Sequence, residues 1–133
     1  PPTGKVVAIW GAPFKPNTDD IRGAPALTLI EQLWAAGARV RVYDPKALKE
    51  LQRFYGTRDD LTLCDSAAAA LEDCDALAVL TEWREFRSPD LTLMRERIRD
   101  RVMFDGRNIY DPAEIEDAGI AYYGVGRGRS LMP

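Results

Sequence analysis

Histidine is absent from the 133 residues of this chain, and its absence excludes several kinds of chemistry. Without histidine the chain cannot form a Ser-His-Asp triad, and it lacks both the commonest general base and the usual zinc ligand. Any chemistry must depend on carboxylates, hydroxyls and cationic side chains. We therefore predict no metal site.

Cysteine is nearly absent as well, since the chain contains only Cys64 and Cys74. Two cysteines are too few for a disulfide framework, and their spacing fits neither a metal-binding knuckle nor a CxxC redox pair. We expect both to be small apolar core residues in a protein from a reducing compartment.

Long hydrophobic runs and a strong charge excess are also missing. No apolar run approaches the roughly 18 residues that a membrane span needs, and the start, PPTGKVVAIWG, lacks the pattern of a signal peptide. We therefore expect a cytoplasmic protein that inserts into no membrane. Eighteen basic residues against 21 acidic ones give a net charge of −3, which does not favour nucleic acid as a partner. A bound phosphate must then be held by local cations.

What the sequence does contain is an alternation of strand and helix patterns. Short apolar runs rich in β-branched residues predict six strands, at residues 6–10, 40–43, 61–64, 76–80, 102–104 and 121–125. Apolar residues at helical spacing separate them, at Leu27/Ile30/Trp34, Leu48/Leu51/Tyr55 and Leu91/Met94/Ile98. This order predicts one α/β domain over residues 1–133, with a doubly wound, Rossmann-like, mostly parallel six-stranded sheet and helices on both faces. We expect residues 127–133 to form a flexible tail.

Prolines and glycines mark the ends of the predicted helices. Helix starts are predicted at Pro25, Asp44-Pro45, Ser88-Pro89 and Asp111-Pro112, where a proline suits the first helical position and the preceding Asp or Ser can cap it. Asp65-Ser66 begins a run of alanines. Helix ends are predicted at Gly37, Gly56 and Gly119, because glycine readily adopts the left-handed conformation there.

The loop after the first strand contains two cations, Lys15 and Arg22. It has no GxGxxG pattern, so backbone cradling of a pyrophosphate by glycines is not expected. A lysine supplies a compact charge and an arginine a planar fork, and both suit phosphate oxygens. The alternative is that they pair with Asp19, Asp20 or Glu31 in a surface cluster.

A third cation, Arg107, follows the fifth predicted strand beside Gly106. Because the carboxyl ends of parallel strands meet at one edge of the sheet, this loop and the loop with Lys15 are expected to converge on one ligand. The alternative is a local turn of Asp105 and Arg107 with a solvated guanidinium.

Two other strand ends hold groups with competing interpretations. Trp83 and Phe86, which follow the fourth strand with Thr81, could stack on a base or nicotinamide, or they could fasten their loop to the domain. Asp44, after the second strand, stands where dinucleotide-binding folds hold a ribose, or it caps the helix predicted at Pro45.

Three motifs, FKPNTDDIR, TEWREF and FDGRNIYDP, occur in that order on successive strand ends. Together they resemble the C-terminal UDP-binding domain of the UDP-glucose/GDP-mannose dehydrogenase family over roughly residues 4–127. The resemblance implies the nucleotide-sugar-binding half of an NAD-dependent UDP-glucose 6-dehydrogenase, which oxidises UDP-glucose to UDP-glucuronate in two hydride transfers. It also implies that the complete enzyme is a homo-oligomer.

The resemblance implies roles for four residues. Phe14 through its backbone, Lys15 on the phosphates and Arg107 from the neighbouring loop would bind UDP-glucose. Arg22 would reach across the interdomain cleft to the pyrophosphate of NAD. The family's NAD-binding fold and catalytic cysteine precede this domain, so no catalytic residue is expected here and the chain alone is predicted to be inactive.

Two departures from the family pattern occur in the first loop, where Pro13 removes a backbone donor and Gly23 replaces a usual glutamate. Three alternatives stay open. The chain could belong to a UDP-N-acetylmannosamine or GDP-mannose dehydrogenase, or it could be a stand-alone nucleotide-sugar-binding module. A response-regulator receiver has a similar length, with Asp65 and Thr81 in suitable places, but it needs a lysine after the fifth strand, where this chain has Arg107.

Overall fold

The computed structural model describes residues 3–125 and, for the backbone only, residues 127 and 128. Its strands are β1 Val6–Trp10, β2 Arg39–Tyr43, β3 Leu61–Leu63, β4 Ala76–Val79, β5 Val102–Asp105, β6 Ala121–Gly124 and β7 Arg127–Gly128. Its α-helices are α1 Pro25–Ala35, α2 Leu48–Tyr55, α3 Ala67–Ala70, α4 Leu91–Arg97 and α5 Pro112–Asp117. A 3₁₀ helix spans Arg84–Phe86.

The strands form one sheet in the order β3-β2-β1-β4-β5-β6-β7. The six predicted strands are all present and run parallel, which confirms the doubly wound α/β class. The sheet also has a two-residue antiparallel strand, β7, beside β6, which the sequence pattern did not predict. The rest of the predicted flexible tail lies outside the described residues.

The two central strands, β1 and β4, carry apolar side chains on both faces. Ala8 and Trp10 of β1 lie in the hydrophobic core on the side of α3, α4 and α5, whereas Ile9 lies in the core on the side of α1 and α2. Leu77 and Ala78 of β4 divide in the same way. A strand buried on both sides has a nearly continuous apolar sequence, which is the pattern that the sequence shows.

Two of the predicted helix starts are wrong by two or three residues. Helix α2 begins at Leu48 rather than at Pro45, because the Asp44 carboxylate binds the backbone N–H groups of Lys46 and Ala47 in a turn that precedes the helix. Helix α4 is capped by Asp90 and not by Ser88, since the Asp90 carboxylate accepts a hydrogen bond from the backbone N–H of Leu93.

The other predicted boundaries agree with the structure. Pro25 and Pro112 begin α1 and α5, and the Asp111 and Ser66 side chains cap α5 and α3. The glycines at positions 37, 56 and 119 have φ values of 88°, 69° and 90°. Among the described residues, no helix combines the length and hydrophobicity that crossing a membrane requires.

Candidate functional site

The loops with the candidate site residues lie at the carboxyl end of the sheet. From β1 the chain adds β2 and β3 on one side, and it then returns to add β4, β5 and β6 on the other, so the strand order reverses between β1 and β4. In open α/β sheets a ligand binds in the crevice at such a reversal. The loop after β1 contains Phe14, Lys15 and Arg22, and the loop after β5 contains Arg107. The structure thus places all four predicted site residues on loops at one edge of the sheet.

Asp44 is a buried carboxylate that joins three of these strand ends. Its Oδ1 accepts hydrogen bonds from the backbone N–H of Ala12 at 3.0 Å and from the indole N–H of Trp83 at 2.8 Å. Its Oδ2 accepts from the N–H groups of Lys46 and Ala47 at 2.9 and 2.8 Å. Asp44 is 1% exposed and accepts four hydrogen bonds, so its role is to connect the loops after β1, β2 and β4. Its carboxylate is not presented to a ribose.

The loop after β1 is also bound directly to the loop after β4. The hydroxyl of Thr81, which is fully buried, donates to the carbonyl of Pro13 at 2.6 Å. A Cβ atom on Gly11 would lie 2.5 Å from Cβ of Thr81, and Gly11 has a φ of 96°. The close approach of these two loops therefore requires glycine at position 11. Pro13 is compatible with this approach, because its carbonyl accepts the hydrogen bond from Thr81.

Asp105 fixes the loop after β5. This fully buried carboxylate accepts hydrogen bonds from the backbone N–H groups of Arg107 and Tyr110, at 3.1 and 3.0 Å, and from the hydroxyl of Tyr122 at 2.8 Å. The Tyr110 hydroxyl in turn donates to the carbonyl of Phe86. Asp105 and Arg107 do form a local turn, as one interpretation of the sequence expected, but the guanidinium is not simply solvated.

Arg107 meets the loop after β1 through Phe14. The Cζ atom of Arg107 lies 4.9 Å from the centre of the Phe14 ring, which is 53% exposed. The Arg107 guanidinium also forms a two-point ion pair with Glu82, with Nε–Oε1 at 3.2 Å and Nη2–Oε2 at 3.1 Å. The side chains of Arg107 and Glu82 keep 25% and 27% of their surface exposed, so this pair can be reached from solvent.

The pair with Arg107 governs the ionisation of Glu82. Burial alone would raise the pKa of the Glu82 carboxyl, but the hydrogen bonds from the Arg107 guanidinium and the nearby positive charge outweigh burial and leave that pKa below its ordinary value. Glu82 is thus an anion at neutral pH.

The two cations of the first loop differ in their surroundings. Arg22 binds Asp20 with Nε–Oδ1 at 2.9 Å and Nη2–Oδ2 at 2.8 Å, which is the surface pairing that the alternative interpretation expected. The Arg22 hydrogen bonds and charge lower the Asp20 pKa to about 2, with a small contribution from Lys15. Lys15 is exposed and has no carboxylate within 4 Å among residues 3–125, so its charge is available to a ligand.

The aromatic residues after β4 fasten their loop to the domain. Trp83 is 6% exposed and Phe86 is fully buried, where its ring stacks on Trp10 at 5.2 Å between ring centres. Neither ring is free to stack on a base. The cysteines are also buried, as predicted, and burial raises the pKa of both thiols, that of Cys74 to about 12.

Sequence reasoning missed Glu82, and neither of its two interpretations of Asp44, a ribose-binding acid or a helix cap, included the hydrogen bonds to Ala12 and Trp83. The available signal for Glu82 was its place in TEWREF, at the same sheet edge as the predicted cations. Nothing in its local pattern distinguished it from Glu85, which faces the hydroxyl of Tyr43 instead.

This combination of strand order and site defines a doubly wound α/β domain of the nucleotide-binding type. The order β3-β2-β1-β4-β5-β6 is that of dinucleotide-binding folds, whereas a receiver domain has the order 2-1-3-4-5, and this excludes the receiver hypothesis. A family profile, described as the UDP-glucose/GDP-mannose dehydrogenase family, UDP binding domain, matches residues 8–112. The chain belongs to this family.

The chain is also similar to proteins that are named as UDP-glucose 6-dehydrogenases. The chain is 45% identical over 130 residues to a UDP-glucose 6-dehydrogenase of Pseudomonas aeruginosa, with 96% of this chain and 29% of that protein covered. It is 37% identical over 124 residues to the UDP-glucose 6-dehydrogenase TuaD of Bacillus subtilis, with 93% and 26% covered. The chain thus spans less than a third of the length of these relatives.

Solved structures support the fold. A UDP-glucose dehydrogenase from Pyrobaculum islandicum superimposes with a TM-score of 0.71 at 31% identity, with 92% of this chain and 25% of that chain covered. A UDP-D-ManNAc dehydrogenase from Pyrococcus horikoshii gives a TM-score of 0.73 at 29% identity, with 96% and 27% covered.

Proposed function

We propose that this chain is the UDP-sugar-binding part of an NAD-dependent UDP-glucose 6-dehydrogenase, which oxidises the primary alcohol of UDP-glucose to a carboxylate in two hydride transfers. The observation that carries the proposal is the contact of Arg107 with Phe14, which brings the loops after β5 and β1 together beside the exposed Lys15. The family match, to a UDP binding domain, supports UDP as the ligand of Lys15 and Arg107 at this edge of the sheet.

The nucleotide would bind at the junction of these two loops. Lys15 and Arg107 approach from separate loops, so a diphosphate between them would meet a point charge from one side and a planar fork from the other. The backbone at Phe14, which is held near the crevice by the Thr81–Pro13 hydrogen bond, would contact the nucleotide. Binding of UDP here would hold the sugar near the reacting groups and so contribute to turnover as well as to affinity.

NAD is the cofactor that we infer for the complete enzyme, with Arg22 directed at its pyrophosphate. Arg22 has 89% of its side chain exposed, and within residues 3–125 the carboxylate that restrains it is that of Asp20 on its own loop. A phosphate could displace this partner at low cost, because an exposed ion pair contributes little stability. The 133 residues contain no dinucleotide-binding glycine motif, and neither cysteine is accessible, so we infer that the chain alone has no dehydrogenase activity.

UDP-glucose is preferred over other nucleotide-sugars because the named relatives with the same span are UDP-glucose 6-dehydrogenases. A UDP-N-acetylmannosamine substrate is the second candidate, favoured by the match with the Pyrococcus enzyme. We infer a cytoplasmic location from the reduced, buried cysteines, and a homo-oligomeric complete enzyme.

Calorimetric titration of the chain with UDP, UDP-glucose and GDP-mannose tests the proposal. We expect UDP and UDP-glucose to bind, with affinities weakened to the millimolar range because only part of the pocket is present, and GDP-mannose to bind less well. Arg107→Ala should weaken UDP binding by about tenfold or more, and Lys49→Ala, on the exposed side of α2, should not. A folded chain that gives no heat with UDP at millimolar concentration contradicts the proposal.

A further inference from the structure

Two restraints act on the guanidinium of Arg107. The Cζ atom of the guanidinium lies over the Phe14 ring, 4.9 Å from the ring centre, and the Glu82 carboxylate binds one edge through Nε and Nη2. A ring below Cζ limits movement of the guanidinium towards that side, and a two-point hydrogen bond limits rotation within the guanidinium plane. Together they fix the orientation of a side chain that would otherwise sample many rotamers.

The ion pair with Glu82 leaves some N–H groups of Arg107 available to a ligand. A guanidinium has five N–H groups, and Glu82 takes one on Nε and one on Nη2. The Nη1 amine has no hydrogen-bond partner among the described residues, and it forms with the second N–H of Nη2 a free edge. A pair of phosphate oxygens fits such an edge in the same two-point manner as a carboxylate.

Glu82 is itself held by its neighbours in the chain. Thr81 donates its hydroxyl to the carbonyl of Pro13, and Trp83 donates its indole N–H to Asp44. Both of these residues are buried, so the backbone at Glu82 is fastened on either side. The carboxylate therefore projects from a rigid base, which is what a positioning group requires.

We propose that Glu82 is a positioning residue that orients Arg107 so that its free Nη edge meets the diphosphate of the nucleotide-sugar. The inference rests on the proposed function and deepens it. It predicts that Glu82, although it is an anion beside an anion-binding site, favours UDP binding. An arginine that is already oriented loses less side-chain entropy when the ligand arrives.

The first experiment compares UDP binding by the wild-type chain and by Glu82→Gln. Glutamine has the same shape, but its amide N–H₂ group faces one of the Arg107 donors, so the two-point pair is lost. We expect UDP binding to weaken by about threefold to tenfold. The matched control is Glu85→Gln on the same loop, because its carboxylate binds the hydroxyl of Tyr43 instead, and we expect unchanged UDP affinity.

A double-mutant cycle with Arg107→Ala separates positioning from any other role of Glu82. If Glu82 acts through Arg107, then Glu82→Gln has no effect on UDP affinity in the Arg107→Ala background. An equal loss in both backgrounds overturns the proposal. Tighter UDP binding by Glu82→Gln also overturns it, because Glu82 would then compete with the ligand for Arg107.

The Nε–H NMR signal of Arg107, assigned with Arg107→Lys, gives a measurement that needs no ligand. We expect a signal protected from solvent exchange in the wild-type chain and loss of that protection in Glu82→Gln. An Arg107 signal that is the same in both overturns the proposal even when UDP binds. A wild-type chain that shows the protected signal but binds no UDP contradicts the proposed function, while the effect of Glu82→Gln on this signal still decides whether Glu82 orients Arg107.

Discussion

The indole N–H of Trp83 donates a hydrogen bond of 2.8 Å to the buried carboxylate of Asp44, although the two residues are 39 positions apart in the chain. The same carboxylate binds the backbone of Ala12, so one side chain connects the ends of β1, β2 and β4. These three ends surround the crevice where the candidate site lies. The geometry of the site therefore depends on a residue that would not itself touch the ligand.

Replacing Asp44 should destabilise the domain strongly. Asp44→Ala leaves four N–H donors without their acceptor, and we expect the free energy of unfolding to fall by about 3 kcal/mol or more. Urea unfolding followed by circular dichroism measures the change. The exposed Asp59 provides the control, since Asp59→Ala should stay within about 0.5 kcal/mol of wild type. Similar losses in both variants would show that the Asp44 hydrogen bonds are not the cause.

Two glycines of the first loop allow steric crowding and backbone strain to be compared. Gly11 and Gly23 both have positive φ values, but a Cβ atom at Gly11 meets Thr81 at 2.5 Å whereas one at Gly23 has no atom within 4 Å. We expect Gly23→Ala to cost about 1 kcal/mol of stability from strain alone, and Gly11→Ala to cost at least about 2 kcal/mol more. Thermal unfolding of the two variants tests this ranking, and equal costs would contradict it.

In the dehydrogenase that we propose contains this domain, Lys15 should contribute to catalysis. We expect Lys15→Ala to lower kcat/KM by an amount that corresponds to about 1.5 to 3 kcal/mol of transition-state binding, the range for hydrogen bonds to charged groups. Steady-state kinetics with UDP-glucose measures it, with Lys49→Ala as a control of the same charge. An unchanged kcat/KM removes Lys15 from the site.

The ion pair of Arg22 with Asp20 has a measurable titration. Hydrogen bonds from Arg22 lower the Asp20 pKa from 3.8 to about 2, so the pair contributes above pH 3.8 and is lost as the pH falls through about 2. In Arg22→Gln we expect the Asp20 pKa to return towards 3.8, as followed by carboxyl NMR shifts. If Asp20 titrates near 3.8 in the wild-type chain, the pair does not persist in solution.

The buried thiols should be unreactive in the folded chain. Burial raises the pKa of Cys74 to about 12 and also raises that of Cys64, so the reactive thiolate is scarce at pH 8. We expect Ellman's reagent to modify neither thiol in the native protein and both in guanidinium chloride. Rapid modification of the native chain would show that the core opens at these positions.

The sequence by itself determined the elements and their approximate ends. Periodicity identified six parallel strands, and Pro25, Pro112 and the glycines at 37, 56 and 119 marked boundaries that the structure confirms, because proline and glycine act through local backbone conformation. It also placed Lys15 and Arg107 at one edge of the sheet, since every parallel strand ends there.

Only the tertiary structure decided which groups at that edge meet. Arg107 binds Glu82, which is 25 positions away in the chain. Asp44 binds donors from three strand ends, and its bonds to Lys46 and Ala47 form a turn, so that α2 begins only at Leu48. Such contacts depend on strand order and on the approach of loops that are distant in sequence, and local patterns contain no information about either. The propensity of Asp44 for a helix cap was real, but the buried donors around it determined its role.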